Sequence, residues 1–127
     1  MKNITNINLV TSRIQNFKVS DLKQIICFNY YVDLLDKLNS SNMEVCFVVN
    51  SDQNAEKLKV TLRFINVSGL KLDGVGNIVN LSSFEIVDMK EQGWDSSQRF
   101  IVRDYEDDKF ELKCSLIEVV SVESLYP

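Results

Sequence analysis

Histidine is absent from this chain of 127 residues. Histidine is the commonest general base and zinc ligand and the base of most serine and cysteine nucleophile pairs, so its absence removes those chemistries. Glycine and proline are also scarce, with four residues and one. With 45% hydrophobic and 25% charged residues, the composition is typical of a globular domain rather than a disordered or fibrous chain. We predict no enzymatic activity, no cofactor and no metal site.

Long apolar runs are missing as well. No segment approaches the roughly 18 apolar residues that a membrane span needs, and the opening "MKNITNINLV" has no apolar run of signal-peptide length. The length of the chain falls at the commonest size for one domain. The sequence therefore predicts a single domain over residues 1–127, located in the cytoplasm and without a membrane partner.

Cysteine is sparse and widely spaced, at Cys27, Cys46 and Cys114. No C-x-x-C pair is present, and each thiol lies among apolar neighbours in the sequence. This pattern favours reduced, buried thiols that pack as small hydrophobic side chains. A structural disulfide is the alternative.

Positive charge is in deficit, and the net charge is -4. The acidic excess lies in residues 85–111, which hold nine acidic and four basic side chains. Affinity for nucleic acid comes mainly from phosphate neutralisation by clustered Lys and Arg. We therefore predict that the chain does not bind DNA or RNA.

Alternation of apolar and polar residues dominates the chain after residue 43. The run "KLKVTLRFI" (57–65) alternates throughout, and "MEVCFVVN" (43–50) precedes it across the polar link "NSDQNAE". This period of two predicts an antiparallel hairpin. Glycine and Asx turn signals then separate short runs rich in β-branched and aromatic residues, which we interpret as further strands. These runs are "LKL", "NIVNL", "FEIVDM", "RFIVRDY" and "KFELKCSLIEVVSV".

The last of these runs changes phase. The residues predicted to face inward have even numbers up to Leu116 and odd numbers from Ile117 onward. The change predicts either a bulge near residues 115–117 or a strand that passes from one layer to another.

The first 40 residues allow two interpretations. In "SDLKQIICFNYYVDLLDKLN" (20–39) the apolar residues recur at intervals of four after a serine that can cap, which favours a helix over residues 20–38. The part "QIICFNYYV" is equally suited to a strand followed by one helical turn. The whole pattern predicts a mainly β fold of the α+β kind. Its antiparallel sheets form two packed layers or a half-barrel, with one helical segment in the N-terminal third.

The segment "QGWDSSQRFIVRDYEDDKF" (92–110) concentrates the candidate functional residues. It contains Trp94, which is the only tryptophan, and the densest acidic run of the chain. Acid-base catalysis by two carboxylates requires environments that separate their pKa values, and carboxylates in a solvated turn do not have such environments. The run "DYEDDKFE" also lacks the glycine of an EF-hand loop, so it does not match that calcium-binding motif. Trp94 is either a lid on the core or an anchor in a protein interface.

Three stretches resemble small cytosolic bacterial immunity proteins of polymorphic toxin and contact-dependent growth inhibition systems. They are "VTLRFINVSGLKLDG", "LSSFEIVDMKEQGWDSSQRFIVRDYEDDKFELKC" and "IEVVSV", and they lie within residues 58–122. The shared features are a strand ending in F-x-N-V, Gly-rich turns, an F-E-I-x-D strand, a G-W turn and a D-Y-E turn. The resemblance implies a protein that neutralises a cognate toxin domain by occluding its active or functional surface.

A toxin partner with a basic surface would suit the acidic segment. On this resemblance the aromatic residues are interface anchors, and the carboxylates provide the electrostatic field that attracts the toxin. The arginine orients neighbouring carboxylates or contacts the partner. The predicted partner-binding residues are Trp94, Asp95, Arg99, Asp104, Tyr105, Glu106, Asp107 and Asp108.

Two other functions remain open from the sequence. One is a structural β domain that assembles with copies of itself through a sheet edge or face, and the oligomeric state is not predicted. The other is a small ligand-binding β domain, which would need a concave apolar cavity with converging polar groups.

Overall fold

Two antiparallel β-sheets packed face to face form the protein in the computed structural model, which describes residues 3–35, 37, 40–50, 56–73, 78–90, 98–106 and 109–125. The sheets do not close into a barrel, and one short α-helix lies near the N-terminus. The predicted two-layer, mainly β architecture is confirmed. The helices are α1 (Asn8–Thr11) and a 3-10 helix (Val19–Asp21). The strands are β1 (Gln24–Val32), β2 (Ser41–Asn50), β3 (Lys57–Ile65), β4 (Ser68–Leu72), β5 (Val79–Asn80), β6 (Phe84–Asp88), β7 (Phe100–Asp104), β8 (Phe110–Cys114) and β9 (Leu116–Ser124).

The first sheet has the strand order β5-β1-β2-β3-β9 and is built around the predicted hairpin of β2 and β3. These two strands pair in a continuous register from Asn42 opposite Ile65 to Asn50 opposite Lys57. The alternation in their sequences sends one set of side chains into the core, and this set includes Phe47 and Phe64, which are fully buried.

The second sheet has the strand order β4-β8-β7-β6. Strand β7 lies between β6 and β8, and its residues Phe100 and Val102 point into the core. The opposite face of this sheet is turned to solvent, because no further layer of described residues covers it.

A direct crossover at Ser115 joins the two sheets. Strand β8 belongs to the second sheet and β9 to the first, with Ser115 as the only residue between them. The Ser115 backbone N–H and hydroxyl both donate to the carbonyl oxygen of Ile65, at 2.9 and 3.1 Å. The phase change in the sequence therefore marks a chain that passes from one layer to the other, which was one of the two predicted outcomes.

A strand, and not a helix, occupies the centre of residues 20–38, over Gln24–Val32. Strand β1 pairs with β2 from Gln24 opposite Val48 to Val32 opposite Ser41, so the helix interpretation is wrong. Ile26 and Tyr30, two members of the four-residue repeat, are exposed and form no buried stripe. The β-branched and aromatic content of "QIICFNYYV" and the neighbouring edge of β2 decide the conformation. The helical segment of the N-terminal third is α1, upstream of the predicted position.

The core between the sheets contains a chain of phenylalanine rings. Phe47 of β2 contacts Phe84 of β6 with a centroid separation of 5.2 Å. Phe84 in turn lies 6.0 Å from Phe110 of β8, which lies 6.4 Å from Phe64 of β3. All three pairs are tilted, in the range of separations where aromatic pairs attract each other. The rings therefore connect two strands of each sheet across the core.

All three cysteines are free, so the disulfide alternative is not adopted. Cys46 and Cys114 are buried as predicted, whereas Cys27 is exposed and the prediction is wrong for this residue. Cys27 lies on the outer face of β1 directly opposite Cys46, after a register shift that begins at Ile25. The shift turns Cys27 away from the core.

Neither helix in the described part of the chain has the length or the apolar character that crossing a bilayer requires.

We predict that Phe84→Ala lowers the free energy of unfolding by about 3–5 kcal/mol, because it removes the ring that contacts both Phe47 and Phe110. Phe84→Leu should cost less, since it retains part of the volume. Leu70→Ala, at an exposed position of β4, is the control and should stay within about 0.5 kcal/mol of wild type. Urea unfolding curves measure all three. Equal effects of Phe84→Ala and Leu70→Ala would contradict the central role of the ring chain.

We also predict that the thiols differ in reactivity. Partial burial and a hydrogen bond with Cys46 raise the pKa of Cys27 from 9.0 to about 11. At pH 8 this lowers its thiolate fraction roughly 100-fold, so iodoacetamide should label native Cys27 slowly and faster as the pH rises towards 11. Burial raises the pKa of Cys114 to about 12, and this thiol should react only after unfolding. Mass spectrometry of wild type and Cys27→Ser measures the labelling. Rapid labelling of native Cys27 at pH 8 would refute the prediction.

Candidate functional site

A row of charged side chains crosses the outer face of the second sheet. Arg103 on β7 lies directly opposite Glu85 on β6 and Glu111 on β8. Because paired residues share a face, the three side chains point to the same side of the sheet. The guanidinium Nε of Arg103 donates a hydrogen bond to a carboxylate oxygen of Glu85. This bond raises the pKa of Arg103 above its ordinary value, so the row is a fixed cation between two carboxylates.

Tyr105 follows β7 and stands beside this row. The guanidinium carbon of Arg103 lies 5.6 Å from the centroid of its ring, within the range of a cation-π contact. The Tyr105 backbone N–H donates to the carbonyl oxygen of Ser83 at 2.8 Å. The side chain is nevertheless 66% exposed. Tyr105 is therefore an exposed aromatic residue whose backbone and ring are both held in place.

Glu106 comes next and is exposed as well. We refer to Glu85, Arg103, Tyr105, Glu106 and Glu111 as the acidic surface. It brings three carboxylates and one guanidinium around one exposed ring, a net charge of -2, which Lys71 of β4, directly opposite Glu111 on the same face, reduces to -1. This arrangement suits a positively charged macromolecular partner, because the carboxylates attract it and the ring offers apolar contact area.

Arg99 lies at the opposite end of β7. Its Nε and Nη2 donate to the two carboxylate oxygens of Asp88 at 3.0 and 2.9 Å, and its guanidinium carbon lies 4.9 Å from the centroid of Phe100. The Arg99 hydrogen bonds hold the pKa of Asp88 below its usual value. Strand β7 separates Arg99 from Tyr105 by six residues, about 20 Å at the rise of an extended chain. The structure therefore places Arg99 apart from the acidic surface, where it orients Asp88.

Asp104 is turned into the protein and is only 1% exposed. Its Oδ1 accepts hydrogen bonds from the backbone N–H groups of Ser82 and Ser83, at 3.2 and 2.9 Å. Its Oδ2 is buried and accepts no hydrogen bond from the described residues. The predicted role of Asp104 as a solvated partner-binding charge is thus corrected by its burial. It fixes the turn that leads into β6.

Four of the predicted partner-binding residues lie outside the described residues: Trp94, Asp95, Asp107 and Asp108. Their predicted contributions stay predictions. Tyr105 and Glu106 are the predicted residues that the described structure brings together on the acidic surface.

Glu85 and Glu111 were missed by the sequence-based choice of site residues. Their signal was present, because each alternates with inward residues of its strand. What the sequence alone lacked was the strand order that sets both beside Arg103. The burial of Asp104 had a signal too, since it shares the parity of Phe100 and Val102.

Two cavities lined by described residues are open depressions with polar walls. One of about 420 Å³ includes Lys23, Gln24, Asn50 and Asn80 in its lining. Another of about 420 Å³ is lined by Asn3, Asp88, Lys90 and Arg99. Neither is the concave apolar cavity that a ligand-binding β domain would need.

We found no significant match to this chain among family models, curated proteins or solved structures. The functional assignment therefore depends on the residues and their geometry.

We predict that Asp104→Ala lowers the free energy of unfolding by about 1–3 kcal/mol, because it leaves the N–H groups of Ser82 and Ser83 without their acceptor. Asp104→Asn retains a carbonyl oxygen of the same shape and should cost less. Chemical unfolding measures the difference, and Glu106→Ala is the exposed control. If Asp104→Ala were as stable as Glu106→Ala, the carboxylate would have no part in holding the turn.

Proposed function

We propose that this chain is an immunity protein, which binds a cognate toxin domain in the cytoplasm and occludes its active or functional surface. The observation that carries the proposal is the acidic surface, with Tyr105 exposed and held by Arg103 among carboxylates. The resemblance of residues 58–122 to immunity proteins supplies the class of partner.

Preorganisation makes Tyr105 suited to binding. An exposed ring that is already fixed loses little conformational freedom when a partner covers it. Tyrosine is also enriched among the interface residues that contribute most to affinity. The cation-π contact with Arg103 and the backbone hydrogen bond to Ser83 provide this fixation.

The charge of the acidic surface determines which partner fits. Arg103 compensates one of the carboxylates that flank it, and Glu106 adds a further negative charge. In the sequence, Asp107 and Asp108 follow directly and increase the negative charge of this segment. Such a surface steers a basic toxin domain, with association rates that can approach 10⁸ M⁻¹s⁻¹ at low salt.

The test uses the C-terminal domain of a toxin encoded beside this protein, purified in an inactive form. We predict that Tyr105→Ala weakens binding about 10- to 100-fold, mainly through faster dissociation, since it removes the aromatic anchor. The combined substitution of Glu106, Asp107 and Asp108 by Lys should slow association, because it replaces the negative charge that attracts a basic toxin with positive charge. Surface plasmon resonance separates the two rates. Asp104 is kept, since a reversal at this buried position would unfold the protein.

The matched control is Glu123→Lys, a charge reversal at an exposed position of β9 on the other sheet. It should leave affinity and protection of toxin-producing cells unchanged. Raising the salt from about 50 to 500 mM should slow association steeply, as the screening length falls from roughly 14 to 4 Å. Unchanged binding and protection by both variants of the acidic surface would rule it out as the toxin-binding site.

A further inference from the structure

One edge of the first sheet is open. Strand β1 pairs with β2 along its whole length, but on its other side β5 pairs only with Gln24 and Ile25. Within the described residues, no strand pairs with the segment Ile26–Val32 on that side. We refer to this segment as the open edge. Its outward backbone N–H and C=O groups form a template for another strand.

The open edge lacks most of the usual protections against strand addition, and its one β-bulge lies at its start. Natural edge strands are commonly guarded by charged side chains, by proline or by shortness. The sequence "ICFNYYV" contains no charged residue, no proline and no glycine. The irregularity of β1 lies at the start of the segment, between Ile25 and Cys27, and leaves the rest regular.

Apolar side chains also line this edge on one face. Phe28, Tyr30 and Val32 are 41%, 49% and 44% exposed. Phe28 and Tyr30 lie opposite Val45 and Met43, which are fully buried, so they point to the core side of the sheet. Their exposure means that the second sheet does not fully cover the core side of β1. A partner at this edge would therefore gain apolar contacts in addition to backbone hydrogen bonds.

We propose that the occupant of the open edge is a second copy of this chain, paired antiparallel through β1 about a two-fold axis at Asn29. This register sets Phe28 of each copy opposite Tyr30 of the other. It also sets Cys27 opposite Tyr31, within the part of β1 that follows the bulge at Ile26. Each of these pairs occurs twice, as an isologous interface requires. The two sheets join into one continuous antiparallel sheet.

The charge distribution favours a second copy. Two chains of net charge -4 repel each other, yet the open edge contributes no charge to the contact. The carboxylate opposite Asn29 on the neighbouring strand is Glu44, which is paired with Arg63 at 2.7 Å. Because the seam itself is neutral and self-complementary, like copies can meet there. An interface of one strand pair is small, so we expect weak association that depends on protein concentration.

Sedimentation velocity over about 1–300 µM tests the dimer. We expect wild type to shift from monomer to dimer and Tyr30→Lys to remain a monomer, because it sets a charge opposite Phe28 of the second copy. The matched control is Leu70→Lys on β4, an edge strand of the other sheet, at a residue that is 40% exposed. It should dimerise like wild type. A monomeric wild type at 300 µM, or a dimer that Tyr30→Lys leaves intact, overturns the proposal.

Hydrogen exchange on the wild-type protein gives a second readout that needs no variant. Raising the concentration from about 2 to 200 µM should slow exchange of backbone amides within Ile26–Val32 and leave those of β4 unchanged. If these amides were insensitive to concentration but protected by the inactive toxin domain, the open edge would serve the toxin and a second copy would be excluded.

Discussion

The contact between the two sheets is the constraint on which the rest of the structure depends. Its centre is the phenylalanine chain, with two ring contacts between the sheets and one within the second sheet. All three cysteines are free, so no covalent link adds to this packing. The rings of Phe84 and Phe110 belong to β6 and β8, the strands on either side of β7. Packing in the core thereby fixes the strands that set Glu85 and Glu111 beside Arg103 on the opposite face.

The crossover at Ser115 makes each sheet depend on the other. Two hydrogen bonds to the carbonyl oxygen of Ile65 hold the chain where it leaves the second sheet. The continuing strand β9 then forms one border of the first sheet, and Thr5 covers that border through backbone hydrogen bonds with Ile117 and Val119, each of 2.9 Å. Among the described residues, the other border has only the short strand β5 over the start of β1. Within that part of the chain, the first sheet is therefore guarded on one side and open on the other.

The sequence predicted the strands because alternation reflects a local property, the two faces of an extended chain. For the same reason it predicted two layers or a half-barrel, and a bulge or a crossover near Ser115, and the structure has the two layers and the crossover. It could not decide between helix and strand around Ile26, since that choice depends on pairing with β2, which is a long-range contact. The same limit applies to the candidate site. Tyr105 could be chosen from the sequence because it is an aromatic residue in an acidic segment. Glu85 and Glu111 could be recognised only from the strand pairing that places both opposite Arg103.

Each sheet carries an arginine between two carboxylates on its outer face. On the first sheet Arg63 bonds Glu44 and Glu118, at 2.7 and 2.6 Å. Of these two arginines, Arg103 is the one whose guanidinium, among the described residues, has a cation-π contact with a largely exposed ring, that of Tyr105. This contact is why we propose the second sheet as the toxin-binding side.

The open edge, in contrast, belongs to the first sheet. Pairing through β1 extends the first sheet sideways and leaves the outer face of the second sheet uncovered in both copies. The proposed self-association and the proposed toxin binding therefore use different surfaces, and a dimer would hold two toxin domains at two separate acidic surfaces.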